Sequence, residues 1–345
     1  KLNLNLSLMT KKILFRADGN ATTGLGHLYR LFALVEMYKN DYDFVFVTKK
    51  TSILNIIPSA YKIKLIPESI SIEQEPDWMV SLFNSNEYII IADGYQFIST
   101  YQRQIKEKGF KLICIDDLAK EHMFADIVVN HSPHSQENHF SKERYTKLAL
   151  GTKYALLRPL FLKEAKQNKS IQTIDSAFVC FGGADSLNLT QKAVEAILQI
   201  PNFKKIHVVL GGAYSHKEIF NFEEIYSNKL TIYRNLTEYE LIKVMKKCNF
   251  AVAPASTILY ELSCVKMPIL SGFYVDNQKL IYKGFLNNEA IYKGGNMKNF
   301  QTSDFVNNII EILEGQTYNH QIQAQKDLFD AEIALRYLSL IKEIC

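Results

Sequence analysis

His27 is the residue whose type and position most directly suggest chemistry. It stands in Gly24-Leu25-Gly26-His27-Leu28, where a polar loop gives way to a helical pattern. An imidazole at a helix N-terminus feels the positive end of the helix dipole, which favours its neutral form, and a neutral imidazole in a cleft is what a general base requires. A histidine that merely caps the loop fits the same spacing. Further along, Phe181-Gly182-Gly183-Ala184-Asp185 closes an apolar strand. Strand, Gly-Gly, helix makes a phosphate-sized anion site, although a plain tight turn fits equally well. Leu210-Gly211-Gly212 ends the next strand in a similar turn. After another buried strand, Ser256 and Thr257 can N-cap a helix and offer hydroxyls and amides to a phosphate. Glu261 lies one turn in, where a carboxylate accepts hydrogen bonds from a ribose diol or simply faces solvent.

Two other clusters have competing readings. Asp116-Asp117 at a strand end is either an acid/base pair or a helix cap with a cationic partner. His131, His134 and His139, with His122 nearby, invite a metal reading. Pro133 interrupts any regular helix there, and the cluster lacks the acidic or cysteine ligand set of a typical zinc site, so no metal site is assigned.

The elements that must position these residues are short apolar runs alternating with helical patterns. In the first half the strands are Ile13–Phe15, Phe44–Val47, Tyr88–Ile91, Leu112–Ile115 and Ile127–Val129, with a helix over Leu28–Met37. In the second they are Ala177–Phe181, His207–Leu210, Leu230–Tyr233, Phe250–Ala253 and Ile269–Phe273. Continuous apolar strands between helices argue an α/β fold with parallel sheets covered on both faces. At 345 residues the chain is long enough for about two domains. The polar stretch 162–175 separates them, which predicts Rossmann-like doubly wound domains over 9–165 and 166–345, facing a cleft. The last helix, Gln321–Ile344, is expected to pack back on the first domain. Lys1–Leu8 precedes Met9 and reads as a cloning remnant.

Composition narrows the function classes. Hydrophobic residues make up 47% and charged residues 22%, which is ordinary for a globular protein. A net charge of +4, with signs interspersed, argues against a nucleic-acid surface. No run approaches the ~18 apolar residues of a membrane span, so no membrane insertion is expected. Five scattered cysteines (Cys114, Cys180, Cys248, Cys264, Cys345) with no C-x-x-C pair point to reduced thiols and a cytoplasmic setting. The 15 glycines are about 4% of the chain, against a typical ~7%, so their clusters at Gly24/Gly26, Gly182/Gly183 and Gly211/Gly212 carry information. None of these turns is a Walker A loop or a G-x-G-x-x-G fingerprint, which disfavours a Rossmann dehydrogenase.

Seven segments taken in order resemble one family. They are FRADGNATTGLGHLYR (15–30), ADGY (92–95), IDDLAKEHMFADIVVN (115–130), YALLRPLF (154–161), FGGAD (181–185), ASTILYELSCVKMPIL (255–270) and DNQ (276–278). The chain resembles the UDP-sugar hydrolases of pseudaminic acid biosynthesis and their relatives in spore-coat polysaccharide synthesis. The resemblance implies the two-domain GT-B fold and metal-independent hydrolysis, without a cofactor, of UDP-2,4-diacetamido-2,4,6-trideoxy-β-L-altropyranose. Water replaces UDP at the anomeric carbon with inversion.

By the same resemblance His27 is the general base, Tyr95 lines the sugar pocket, and Ser256 and Glu261 hold the β-phosphate and the ribose. Asn277 and Gln278 close on the substrate. Arg16, Asp18, Gly26, Gly182, Gly183 and Thr257 complete the substrate-binding set. Two departures from the family pattern, Gly19–Thr23 and Gly94, fall where the sugar is expected. A glycosyltransferase on the same fold and a non-catalytic nucleotide-sugar binder are the rival readings.

Overall fold

A computed structural model of the chain describes residues 11–20, 24–330 and 332–345. The segment Lys1–Leu8 lies outside the described residues, as does Ala21–Thr23 of the first glycine loop. The chain divides into two compact units. One gathers the residues up to Asn130, Gln136–Leu150 and Ala334–Cys345; the other gathers His131–Ser135 and Gly151–Ile333.

The first unit is built on β1 (Lys12–Ala17), α1 (Gly26–Tyr38), β2 (Phe44–Lys49), β3 (Ile63–Ile66), α2 (Glu75–Leu82), β4 (Tyr88–Asp93), α3 (Ser99–Glu107), β5 (Lys111–Ile115), β6 (His122–Met123), β7 (Ile127–Asn130), β8 (Ser141–Lys142) and β9 (Lys147–Leu150). Seven strands form one parallel sheet in the order β3-β2-β1-β4-β5-β7-β9. The central strands carry unbroken apolar runs because helices cover both faces; Ile13, Leu14, Phe15, Ile89 and Ile90 are fully buried. The direction of winding reverses between β1 and β4. Their carboxyl ends are therefore the switch point at which such sheets bind ligands.

The C-terminal helix Ile333–Ile344 packs on this unit. The Tyr38 hydroxyl donates to the Tyr337 carbonyl at 2.7 Å, and Lys147 pairs with Glu343 at 2.9 Å. The single helix expected over Gln321–Ile344 is in fact two. Phe329 breaks it in an extended conformation, with its ring buried against Tyr260 and Phe285, and Asp330 then accepts the Glu332 N–H at 2.9 Å.

The second unit contains α4 (Pro159–Ala165), β10 (Ser176–Val179), α5 (Leu189–Gln199), β11 (Lys205–Leu210), α6 (Ile219–Ile225), β12 (Leu230–Arg234), α7 (Glu238–Lys246), β13 (Phe250–Pro254), α8 (Thr257–Val265), β14 (Ile269–Phe273), α9 (Lys279–Asn287), β15 (Tyr292–Asn296), α10 (Thr302–Gly315) and α11 (Tyr318–Leu328). Its six strands are parallel in the order β12-β11-β10-β13-β14-β15, with the reversal between β10 and β13.

The chain passes into this unit at Gly151, ahead of residues 162–175, where composition had placed the junction. Helix α4 belongs to the second unit because the buried Lys266 ammonium donates to the Glu164 and Ala165 carbonyls at 3.2 and 2.6 Å. The His131–Ser135 segment belongs here too. The His131 ring stacks on Tyr260 at 4.4 Å, its Nδ1 accepts the Leu156 N–H, and Ser132 donates to the Leu280 carbonyl.

Candidate functional site

In the first unit, polar side chains gather at the carboxyl ends of β1 and β4. Helix α1 starts at Gly26 with no acidic residue in its first turn and no side-chain cap, so His27 meets the bare positive end of the helix. Asp93, the last residue of β4, is fully buried and lies 2.7 Å from His27 Nδ1 through its Oδ1. One helical turn beyond His27, Arg30 grips the same carboxylate through Nε at 2.8 Å and Nη2 at 2.6 Å. Its Nη1 reaches Asp117 at 2.6 Å. Burial works against the Arg30 charge, yet the Asp117 and Asp93 carboxylates outweigh it and push the guanidinium well above its ordinary value.

These distances select a tautomer. Arg30 Nη2 also lies 2.8 Å from His27 Nδ1, but a guanidinium only donates and a carboxylate only accepts. A 2.7 Å contact between Nδ1 and Asp93 requires the proton on Nδ1, with Arg30 donating to Asp93 instead. In the neutral ring this leaves Nε2 as the nitrogen without a proton. The ring edge of Tyr95 rests on His27, centroids 4.8 Å apart at 85°. His27 and Tyr95 are therefore brought together; Asp93 and Arg30 join them from outside the expected set.

Arg16 and Asp18, both expected at the substrate, are paired with each other in the structure. Arg16 is fully buried in β1, with Glu75 accepting from its Nε and Nη2 at 2.6 and 2.8 Å and Asp18 from Nη1 and Nη2 at 2.6 and 2.8 Å. Its guanidinium has no face left for a ligand. Asp18 also accepts from the Lys49 N–H, the Thr48 hydroxyl and the Gln96 amide. Burial tends to raise the Asp18 pKa, but Arg16 and these donors hold it below the usual value.

Of the aspartate pair, Asp117 is the Arg30 partner, as one of its two readings had it. Asp116 accepts the Ala119 N–H at 2.6 Å, and burial pushes its carboxyl from the ordinary 3.8 up to about 6. A carboxyl that titrates higher when folded favours folding fully below about pH 4 and loses that contribution as pH rises through about 6. Asp116→Asn stays neutral throughout. It should therefore be more stable than wild type above pH 6, by up to about 3 kcal/mol, with the gap closing toward pH 4. Denaturant melts at pH 4 and pH 8 check this; an equal difference at both would contradict the assignment.

In the second unit the glycine pair and the helix start behave differently from one another. Gly182 and Gly183 follow β10, but α5 begins only at Leu189. The buried Asp185 carboxylate accepts the Leu189 and Thr190 N–H groups at 2.9 and 2.8 Å. The Leu189 and Thr190 amides at the α5 N-terminus, where an anion was expected, are thus already taken by a side chain. Gly211 backs this loop: a Cβ there would lie 2.3 Å from the Gly182 carbonyl oxygen. The Ala213 N–H adds a bond to the Gly183 carbonyl at 3.0 Å.

Helix α8 is the better anion terminus. Ser256 occupies its N-cap position without a side-chain hydrogen bond to the helix, and the first turn carries no acid. The α8 N-terminus, with Ser256 and Thr257, directly follows β13 at the β10/β13 switch region. Glu261, which composition allowed to be a solvent-facing residue, is buried, with its Oε1 held by Arg158 Nε at 3.0 Å and Nη2 at 2.6 Å. Burial pushes its carboxyl up and Arg158 opposes the shift. Arg158 was visible in YALLRPLF but had no role until Glu261 was placed beside it. Asn277 is exposed on a short turn, whereas the Gln278 side-chain Oε1 accepts the Tyr274 N–H at 3.0 Å and braces that turn.

Among the described residues no group of three or more His, Cys, Asp or Glu side chains could hold a metal ion. His131 and His139 fall in different units. No described helix is long and apolar enough to cross a membrane.

No family model matches the chain. An uncharacterized protein of Methanocaldococcus jannaschii is 28% identical over 292 residues, covering 80% of this chain but only 58% of that protein. The UDP-2,4-diacetamido-2,4,6-trideoxy-beta-L-altropyranose hydrolase of Campylobacter jejuni is 27% identical over 275 residues, covering 78% of this chain and 93% of the hydrolase. The spore coat polysaccharide biosynthesis protein SpsG of Bacillus subtilis is 23% identical over 281 residues, covering 79% and 80%. Among solved structures, Acinetobacter baumannii MurG superposes with a TM-score of 0.66 at 12% identity over 96% of this chain and 99% of its own. The UDP complex of Staphylococcus aureus MnaA gives 0.64 at 10% identity over 96% of both. The chain is thus an α/β protein of the GT-B fold, distantly similar to the Campylobacter UDP-sugar hydrolase and to the spore-coat protein SpsG.

Proposed function

We propose that the chain is a UDP-sugar hydrolase that cleaves the anomeric C–O bond of UDP-2,4-diacetamido-2,4,6-trideoxy-β-L-altropyranose, or a close relative of it, for pseudaminic acid biosynthesis. The observation that carries this reading is the Asp93-locked tautomer of His27, which leaves Nε2 as a proton acceptor at the carboxyl edge of the first sheet. His27 Nε2 takes a proton from the attacking water while Asp93 holds the resulting imidazolium. Water adds to the anomeric carbon as the bond to the diphosphate oxygen breaks, inverting that centre.

UDP is a good leaving group, so no glycosidase-type carboxylic acid need protonate it. The Ser256 and Thr257 hydroxyls and the α8 amides stabilise the departing diphosphate, with the Gly182-Gly183 amides beside them. Glu261, oriented by Arg158, takes the ribose diol, and Asn277 borders the substrate. Tyr95 packs on the sugar next to His27. The reaction needs neither metal nor cofactor in this account, and the four buried free thiols suit a cytoplasmic enzyme.

The test is incubation with the UDP-altrose derivative in chelator, without an acceptor, followed by NMR. Stoichiometric UDP and free sugar are expected, with the first-formed anomer inverted. Release of UDP only when an alcohol acceptor is added would instead make the protein a glycosyltransferase. Tight binding without cleavage would make it a nucleotide-sugar binder.

A further inference from the structure

The first unit holds a cavity of about 100 Å³ whose lining begins at Gly94 and Tyr95, the two residues after Asp93. It opens between the loop after β4 and the turn after β5; its lining includes Tyr95, Phe97, Ile98, Asp116 and Leu118, with Lys120 and Glu121 as further charged members. Two of these tie it to the reacting centre. Gly94 directly follows Asp93, and Tyr95 carries its ring edge against His27. The cavity is also preformed. Gln102 behind it donates to the Phe97 carbonyl at 2.9 Å and accepts the Phe124 N–H at 3.0 Å, which fixes the Phe97 side of the wall. At Gly94 a Cβ would lie 2.4 Å from Gln96 Oε1, so glycine keeps Gln96 in place on Asp18.

Size and lining define an occupant. On the scale where an apolar cavity of ~150 Å³ holds benzene, this one takes about four heavy atoms, more than a sugar hydroxyl supplies. Phe97, Ile98 and Leu118 offer an apolar wall. Asp116 offers a carboxylate of which one oxygen receives the Ala119 N–H, and a carboxylate has about four acceptor positions in all. An acetamido group fits this space, with four heavy atoms, a methyl for the apolar side chains and an N–H for a carboxylate.

We propose that this cavity is the subsite for an N-acyl substituent of the sugar, its methyl against Phe97, Ile98 and Leu118 and its amide N–H on Asp116. The proposal rests on the UDP-sugar reading above and assigns which residues select the sugar.

The experiment compares the diacetamido substrate with its two mono-deacetylated analogues, as kcat/KM and as dissociation constants for the nucleotide sugars by calorimetry. Wild type should favour the diacetamido compound over one analogue by roughly 10- to 100-fold. Leu118→Trp, which fills the cavity, should bring that ratio to within about threefold while UDP itself binds as before. Asp116→Ala, which keeps the cavity open, should reduce the ratio about tenfold and so covers a Leu118→Trp that fails to fold. If both folded variants keep the wild-type ratio, or wild type shows no preference, the subsite is refuted. If wild type hydrolyses none of the three, the hydrolase reading fails by itself, and the dissociation constants still decide the subsite.

Discussion

His27→Ala lowers kcat by about 10²- to 10⁴-fold, while the affinity for UDP stays within a few-fold of wild type. The split follows from where the residue sits. His27 touches Asp93, Arg30 and Tyr95 in the first unit, and the residues proposed for the diphosphate and ribose belong to the second. Removing the imidazole removes the proton acceptor and leaves the nucleotide contacts alone. Asp93→Asn should cost a comparable factor by a different route. An amide can present N–H to Nδ1, which places the ring proton on Nε2 and turns the base away from the water. It also strips the buried Arg30 of one of its two carboxylates. Initial rates beside calorimetric UDP binding check both variants. A His27→Ala protein turning over near the wild-type rate would remove His27 from the role of base.

Glu75→Ala should destabilise the first unit by about 3–5 kcal/mol, the largest stability effect expected anywhere in the site. Arg16 lies in the middle of the sheet with no exposure, bracketed by Glu75 and Asp18, and Glu75 also accepts the Tyr101 hydroxyl at 2.8 Å. Without Glu75 a buried guanidinium keeps one partner, and the Tyr101 hydroxyl loses its acceptor. The double replacement Arg16→Met with Glu75→Leu should cost less than the sum of its single changes, because it removes both buried charges together. Denaturant unfolding, read as midpoint with slope held in view, measures it. A loss below about 1 kcal/mol for Glu75→Ala would mean that Glu75 does not offset the buried Arg16 charge.

The features legible in the sequence were local ones. The apolar runs of β1, β4, β5, β10 and β13, and the glycine turn into α1, are each contained in a few consecutive residues, and the structure has them within a residue or two. What escaped was non-local. Asp93 stood in the Ala-Asp-Gly-Tyr segment, yet nothing in a window around it announces a partner 66 residues away. The pairing of Arg16 with Glu75 spans 59 residues and is equally invisible in a local window. Arg158 and Glu261 are 103 apart. Strand β15, Tyr-Lys-Gly-Gly-Asn, has no apolar run at all and exists because β14 offers it an edge. Asp185 took the α5 terminus from the anion predicted there, since an aspartate four residues before a helix residue caps it as readily as a phosphate does.

The central claim, water attacking the anomeric carbon, is tested most directly by running the reaction to completion in H₂¹⁸O without acceptor and weighing the UDP by mass spectrometry. The phosphate oxygens of UDP do not exchange with water under these conditions, so the label records which bond broke. The account predicts that UDP is released and carries no ¹⁸O. UDP labelled with ¹⁸O, which places the attack at phosphorus, or no UDP formed at all, would contradict it.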